Sequence, residues 1–275
     1  MAPSGTTAAL VNPARSATAP RVHRRSAAPL AALLLSTLVA GCNRDEQALA
    51  SERSSSPFRL ELPGLSRLFP ATATEVAVPG DLPAFVVRGA DGGCPRMVFL
   101  SGMCSHGLGY IQSFQAAARD HGGVLALQGD TACSADGAFR KYSFDLDKQD
   151  ARIQAALATC GGKAEDLVLA GYSQGAYVAE RLAERWPERY TRLVLIGAPT
   201  TPSAARLRKL RGAVLVSGEH DAKYRMKDGT KALEAAKVPA MYLEMPGAGH
   251  GQMTEAERTM DEALTWLDEH ARAAP

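Results

Sequence analysis

From residue 96 onward the chain alternates between short runs that are apolar at every position and longer stretches that are apolar on one side only. "RMVFL" precedes a helical stretch around 108–120, "GVLAL" one around 145–159, and "DLVLAGY" one over 174–186. "RLVLIGA" is followed by a short basic helix near 202–209, "AVLVSG" by 227–236, and "AMYLEM" by 254–271. A strand that is apolar on both faces must be covered on both faces, and the intervening amphipathic helices supply the cover. Upstream, "TEVAVP" and "PAFVVRG" read as a leading hairpin. The pattern predicts an α/β protein: a doubly wound, mostly parallel eight-stranded sheet with helices on both faces. In such sheets ligands bind beyond the carboxyl ends of the strands, so candidate chemistry is sought there.

The first forty residues follow another pattern. Arg21, Arg24 and Arg25 precede the apolar run "APLAALLLSTLVA", which ends in "LVAGC". A basic region, a short apolar stretch and a small-residue end mark an export signal, too short for a spanning helix. Val39, Ala40, Gly41 and Cys42 resemble a bacterial lipobox. That resemblance implies a signal over 1–41 and lipidation of Cys42; the alternative is a secreted chain without lipid. Asn43, rather than Asp, after the cysteine favours the outer over the inner membrane of a bacterial envelope, by analogy with lipoprotein sorting. Residues 42–56 read as a flexible polar tether, and 57–275 as one domain.

Removing the signal changes the charge. Its four arginines turn 31 basic residues against 29 acidic into 27 against 29. No basic patch points to nucleic acid, and the expected membrane link is a lipid anchor rather than a polybasic surface. Oligomeric state is open. Four further cysteines, Cys94, Cys104, Cys133 and Cys160, are an even number in an exported chain and invite disulfides, with three pairings open.

The stretch "LAGYSQGAY" lies where a strand meets a helix. Gly171 and Gly175 permit a sharp turn in a crowded place, leaving Ser173 at its apex: the nucleophile-elbow pattern. A serine hydroxyl needs a base, and the base needs an orienting acid. "EHDAKY" puts Asp221 just past one strand, and "PGAGHGQ" puts His250 just past the last. Serine, acid and histidine thus fall at strand ends in the order that such a relay uses. Asp130 is the reserve acid and Glu219 a weaker one. His220 adjoins Asp221 on the same loop. His121 fits a helix C-terminal cap, and His270 lies in the last helix. No His/Cys/Asp cluster has zinc spacing and no glycine loop is built for phosphate, so no metal or cofactor is expected.

From about Arg96 to Leu267 the chain resembles the α/β-hydrolases. "GYSQGA" is similar to elbows of cutinase-like and of carboxylesterase- or phospholipase-like members. The resemblance implies Ser173 as nucleophile, His250 as general base and acid, Asp221 as orienting carboxylate, and the backbone N–H of Gln174 as one oxyanion donor. Many members follow the third strand with His-Gly, whereas this chain reads "SGMCSHG". Ser101 and Gly102 take those places, making the backbone of Met103 the second donor. Cys104 and Cys133 then fall on the active-site edge and Cys94 and Cys160 on the opposite one. Pairing within edges gives Cys104–Cys133 and Cys94–Cys160, with free thiols as the alternative.

Only "PTTPSAARLRKLR" separates "LVLIGA" from "GAVLVSG", so no cap domain is expected and the site should be open. His106, Phe139 and Tyr142 are candidates to line a substrate, with Phe144 beside them. The expected function is a serine hydrolase cleaving carboxylic esters through an acyl-enzyme. Peptidase, thioesterase and acyltransferase activities use the same machinery. A rival from another class is a non-catalytic surface lipoprotein that binds with the hydrolase scaffold.

Overall fold

The computed structural model describes residues 72–273. The expected signal, Cys42, the tether and residues 57–71 lie outside the described residues. Two short strands, β1 (Thr74–Val76) and β2 (Ala84–Arg88), form the leading hairpin. β3 (Met97–Leu100) leads into α1 (Gly107–Gln112) and α2 (Gln115–Asp120), and β4 (Gly123–Leu127) follows. A two-stranded ribbon, β5 (Thr131–Ala132) with β6 (Arg140–Lys141), precedes α3 (Leu146–Ala158). Then come β7 (Leu167–Tyr172), α4 (Gln174–Arg185), β8 (Tyr190–Ile196) and α5 (Ala204–Leu207). The fold ends with β9 (Gly212–Gly218), α6 (Lys223–Ala235), β10 (Ala240–Met245) and α7 (Ala256–His270).

The main sheet has eight strands in the order β1-β2-β4-β3-β7-β8-β9-β10. The β1/β2 and β2/β4 pairs are antiparallel and all others parallel, as the alternation predicts. Successive side chains of a strand point to opposite faces, and the core divides accordingly. Val98, Leu100, Leu125, Leu127, Leu169, Leu193, Leu195 and Leu215 face α3, α4, α5 and α6. Their neighbours in sequence, among them Phe99, Ala126, Ala170, Val194 and Val216, face α1, α2 and α7. The central strands β3, β4, β7 and β9 are buried at every position. That explains why they read as unbroken apolar runs.

Three elements differ from the sequence reading. The single helix expected over 108–120 breaks at Ser113 and Phe114. The Ser113 hydroxyl donates to the Tyr110 carbonyl at 2.6 Å, and Phe114 leaves helical geometry to bury its ring against Phe99. α6 starts four residues earlier than expected, at Lys223, and carries Gly229 in its interior. A Cβ there would stand 2.8 Å from Leu215 and from Pro202, so its absence lets the helix sit close to the sheet. The β5/β6 ribbon, two residues per strand, is too short to show a period in the sequence. Among the described residues no helix is long and apolar enough to cross a membrane, and α5 is the only helix between β8 and β9.

Candidate active site

Ser173 occupies the apex of the β7-to-α4 turn at φ 50° and ψ −112°. A side chain at positive φ costs on the order of 1–3 kcal/mol and persists only where its surroundings hold it. Here the Ser173 N–H donates to the Ile196 carbonyl at 2.8 Å, and the Ser173 carbonyl accepts from the Tyr177 N–H at 3.1 Å. The flanking glycines are required by space. A Cβ on Gly171 would lie 2.4 Å from the Gly175 backbone, and one on Gly175 would lie 2.0 Å from the Leu100 carbonyl oxygen.

His250, in the loop after β10, places Nε2 3.0 Å from Ser173 Oγ. Its Nδ1 lies 2.8 Å from Oδ2 of Asp221, in the loop after β9. A carboxylate only accepts, so Nδ1 carries the proton and Nε2 is left to accept from the serine hydroxyl. The loops are tied to each other: the His220 N–H donates to the Ala248 carbonyl at 2.8 Å, and the Gly247 N–H to Glu219 at 2.8 Å. The Gly251 N–H donates to the Tyr172 hydroxyl, whose ring lies 5.6 Å from that of His250. Burial pushes the Tyr172 phenol up to about 12, so it stays neutral. Ser173, Asp221 and His250 therefore meet at one rim, as the sequence predicts.

One contributor was missed. β8 lies between β7 and β9, so the residue just past its end sits directly beneath the relay. That residue is Gly197, at φ 54°; a Cβ there would stand 2.9 Å from Asp221 Oδ2 and 3.5 Å from His250 Nδ1. The glycine ending "LVLIGA" was the available signal.

Gln174 is the first residue of α4, so its N–H has no acceptor within the helix and lies at the positive dipole end. Met103 follows β3, the neighbour of β7, with Leu100 registered opposite Gly171. This places the 101–106 loop beside the elbow. The loop is held by the Ser105 hydroxyl donating to the Gly102 carbonyl at 2.6 Å and by a reciprocal backbone pair between Ser105 and Arg140 at 3.1 and 3.2 Å. Cys104 lies at disulfide distance from Cys133, Cα to Cα 5.4 Å, and Cys94 from Cys160, at 5.5 Å. These are the within-edge pairs expected.

The lining candidates separate. Phe139 is exposed beside the ribbon, as are Met103, Phe144 and Tyr224. Tyr142 does not line the cleft. At 2% exposure it lies against the 101–106 loop, where its hydroxyl is bonded to Ser101 and Leu127. His106 is half-buried, its ring 5.0 Å from Phe85 of β2, three strands away from β7 in the sheet order. The other acids and histidines are engaged elsewhere. Burial alone would raise the pKa of Asp130, but Lys148, both donors of Ser143 and Gln149 hold it well below the usual carboxylate range. His121 bonds Asp268 and Asp261 on α7, rather than only capping α2. His270 stacks on Trp266.

A mostly parallel sheet in this strand order, with an elbow after β7 and its partners after β9 and β10, is the α/β-hydrolase fold. No family model matches the chain, and no curated protein sequence does. Solved structures do. The carboxylesterase CesB of Bacillus subtilis is 14% identical, with a TM-score of 0.53 over 74% of this chain and 93% of that one. An esterase of Pyrobaculum calidifontis is 16% identical, with a TM-score of 0.53 over 74% and 86%. FphF, a fluorophosphonate-binding serine hydrolase of Staphylococcus aureus, is 15% identical, with a TM-score of 0.51 over 71% and 97%. At these identities the likeness establishes the fold.

Proposed function

We propose that the chain is a serine hydrolase that cleaves carboxylic esters through an acyl-enzyme. The observation that carries this reading is the continuous hydrogen-bonded relay from Asp221 through His250 to Ser173. Ser173 Oγ attacks the ester carbonyl carbon as its proton passes to His250 Nε2. Asp221 stabilises the imidazolium that forms. The N–H groups of Gln174 and Met103 hold the oxyanion. Collapse breaks the bond to the leaving alcohol, which takes the proton from His250, and water repeats the cycle on the acyl-serine to release acid. An exposed imidazole, the short β8–β9 connection, exposed Met103, Phe139 and Phe144 on loops of the same edge, and exposed Tyr224 at the start of α6 support an open cleft with an apolar rim. Such a rim favours an acyl ester over a peptide. The lipobox-like "LVAGC" extends the proposal to an enzyme exported and anchored through Cys42 in a bacterial envelope, with the outer membrane favoured.

Fluorophosphonate labelling and turnover of a panel of acyl esters, compared between wild type and Ser173→Ala, test the function. We expect labelling to vanish and kcat to fall by about 10⁶ in the folded variant. Retained turnover in Ser173→Ala refutes the assignment, and a folded wild type that neither labels nor turns over favours the binding scaffold.

A further inference from the structure

Resting on the serine-hydrolase reading, we propose that Tyr142 and the Gln174 side chain form one positioning strut that sets the gap between the two oxyanion donors. The donors belong to different elements. The Gln174 N–H sits at the start of α4, and the Met103 N–H sits in the loop after β3. An oxyanion is held well only if both donors lie near 3 Å from it, yet neither backbone alone determines where the other stands.

Tyr142 touches both sides. Its N–H donates to Gln174 Oε1 at 3.0 Å, and its carbonyl accepts from Gln174 Nε2 at 3.2 Å. The amide of the elbow residue therefore grips the Tyr142 backbone at both atoms. At the other end, the Tyr142 hydroxyl accepts from the Ser101 N–H at 3.0 Å and donates to the carbonyl of Leu127. Ser101 begins the loop that carries Met103, and Leu127 ends β4, registered opposite Leu100. The ring between these anchors is buried, so it has little freedom to swing. Burial pushes the phenol up to about 12, so the Leu127 bond persists across the working pH range. Tyr142 and Gln174 are positioning residues here: neither side chain touches substrate in this scheme, and their effect passes through two backbone N–H groups.

Losing a donor outright typically costs about 10²–10³ in rate, and misplacing one costs less. For Tyr142→Phe and for Gln174→Ala we expect kcat on 4-nitrophenyl butyrate to fall about 10–100-fold, with KM changed less than about twofold. Two readouts separate positioning from mere packing. The inhibition constant of an alkyl trifluoromethyl ketone, which forms a tetrahedral adduct on the serine, should rise by the factor by which kcat/KM falls. That of butyrate, a ground-state ligand, should stay put. The double variant should cost no more than the worse single one, since a strut cut at either end is already cut. A lowered melting temperature with kcat intact, equal weakening of ketone and butyrate, or additive losses would each overturn the strut. Should Tyr142→Phe fail to fold, Gln174→Ala carries the same kinetic and ketone measurements, with the same outcomes deciding. Fluorophosphonate labelling of Ser173 in wild type separates the levels. Absent labelling sinks the hydrolase reading, whereas labelling with unimpaired variants sinks only the strut.

Discussion

The two edges of the sheet each carry a histidine–aspartate pair of nearly identical length, and the pairs are built inside out relative to each other. At the carboxyl edge His250 lies 2.8 Å from Asp221, with the imidazole 52% exposed and the carboxylate 10%. At the amino edge His121 lies 2.9 Å from Asp268, with the imidazole 16% exposed and the carboxylate 55%. The second ring nitrogen completes the contrast. In His250 it faces a hydroxyl at 3.0 Å; in His121 it faces another carboxylate, Asp261, at 3.3 Å, with the Thr265 hydroxyl farther off at 3.5 Å. A ring between an acid and a hydroxyl passes a proton along, whereas a ring between two acids holds its proton. A buried carboxylate with an exposed ring also leaves that ring free to meet a substrate. A short His–Asp distance therefore does not identify a catalytic pair; the group at the far nitrogen and the burial of the acid do.

The sharpest way to break this comparison is to remove each histidine. His250→Ala should lower kcat by about 10⁶, because without the base the remaining members contribute little. Asp221→Asn should lower it by about 10⁴, chiefly by allowing the wrong tautomer. His121→Gln should leave ester turnover nearly unchanged and lower the melting temperature instead. Comparable activity losses at both edges would show that the far-nitrogen partner does not separate the pairs.

The disulfide pairs sharpen the comparison further. Cys94–Cys160 spans 66 residues on the amino edge and Cys104–Cys133 spans 29 at the 101–106 loop. Chain entropy alone assigns them about 4.4 and about 3.6 kcal/mol. Replacing both cysteines of the longer loop by serine should therefore give the larger drop in melting temperature, with kcat of the surviving fold intact. The same change at Cys104 and Cys133 should give the smaller drop, together with a fall in kcat of about tenfold, since Met103 adjoins Cys104. Thermal melts and ester kinetics on both pairs decide. A kcat loss confined to the Cys94–Cys160 variant would reverse the assignment of roles.

What the sequence showed follows the same division. Ser173, Asp221 and His250 were legible because each lies in the turn or loop after a strand, and β7 and β9, buried at every position, announce themselves as unbroken apolar runs. Strand order then carries the three to one rim with little freedom left over. Pairing of the cysteines by edge was legible for the same reason. Tyr142 was misread as a lining residue because its place depends on the fold of a loop, 130–145, that has no period. Its partner Gln174 is 32 residues away, and only the folded loop brings them together. The contact of His106 with Phe85 was not legible, because nothing local records that β2 folds back beside β4 and offers Phe85 to its ring. Gly197 looked like any glycine ending a strand; its significance is the 2.9 Å that a Cβ would leave to Asp221.

The smallest effect expected concerns pH, and it belongs to the amino-edge pair. The hydrogen bond to Asp268 raises the His121 pKa above 6.5, with Asp261 adding to it and burial opposing. The same bond lowers Asp268 below 3.8, with Arg192 and Arg96 contributing. A group whose folded pKa is raised contributes stability that is complete below its unfolded value and is lost as pH climbs through the folded one. A lowered carboxylate contributes above its unfolded value and loses that contribution as pH falls through the folded one. Together they place the full contribution of the amino-edge pair between about pH 4 and about pH 6.5. The difference in melting temperature between wild type and His121→Gln should therefore be largest near pH 5.5, about the middle of that window, and shrink toward pH 9. The pair also adjoins the C-terminus of α2, where a protonated ring is favoured by the helix dipole. His250 faces the Ser173 hydroxyl at 3.0 Å in place of that second carboxylate. A stability difference for His121→Gln that grows toward alkaline pH would mean that the buried ring is held neutral, and the two edges would then be chemically alike.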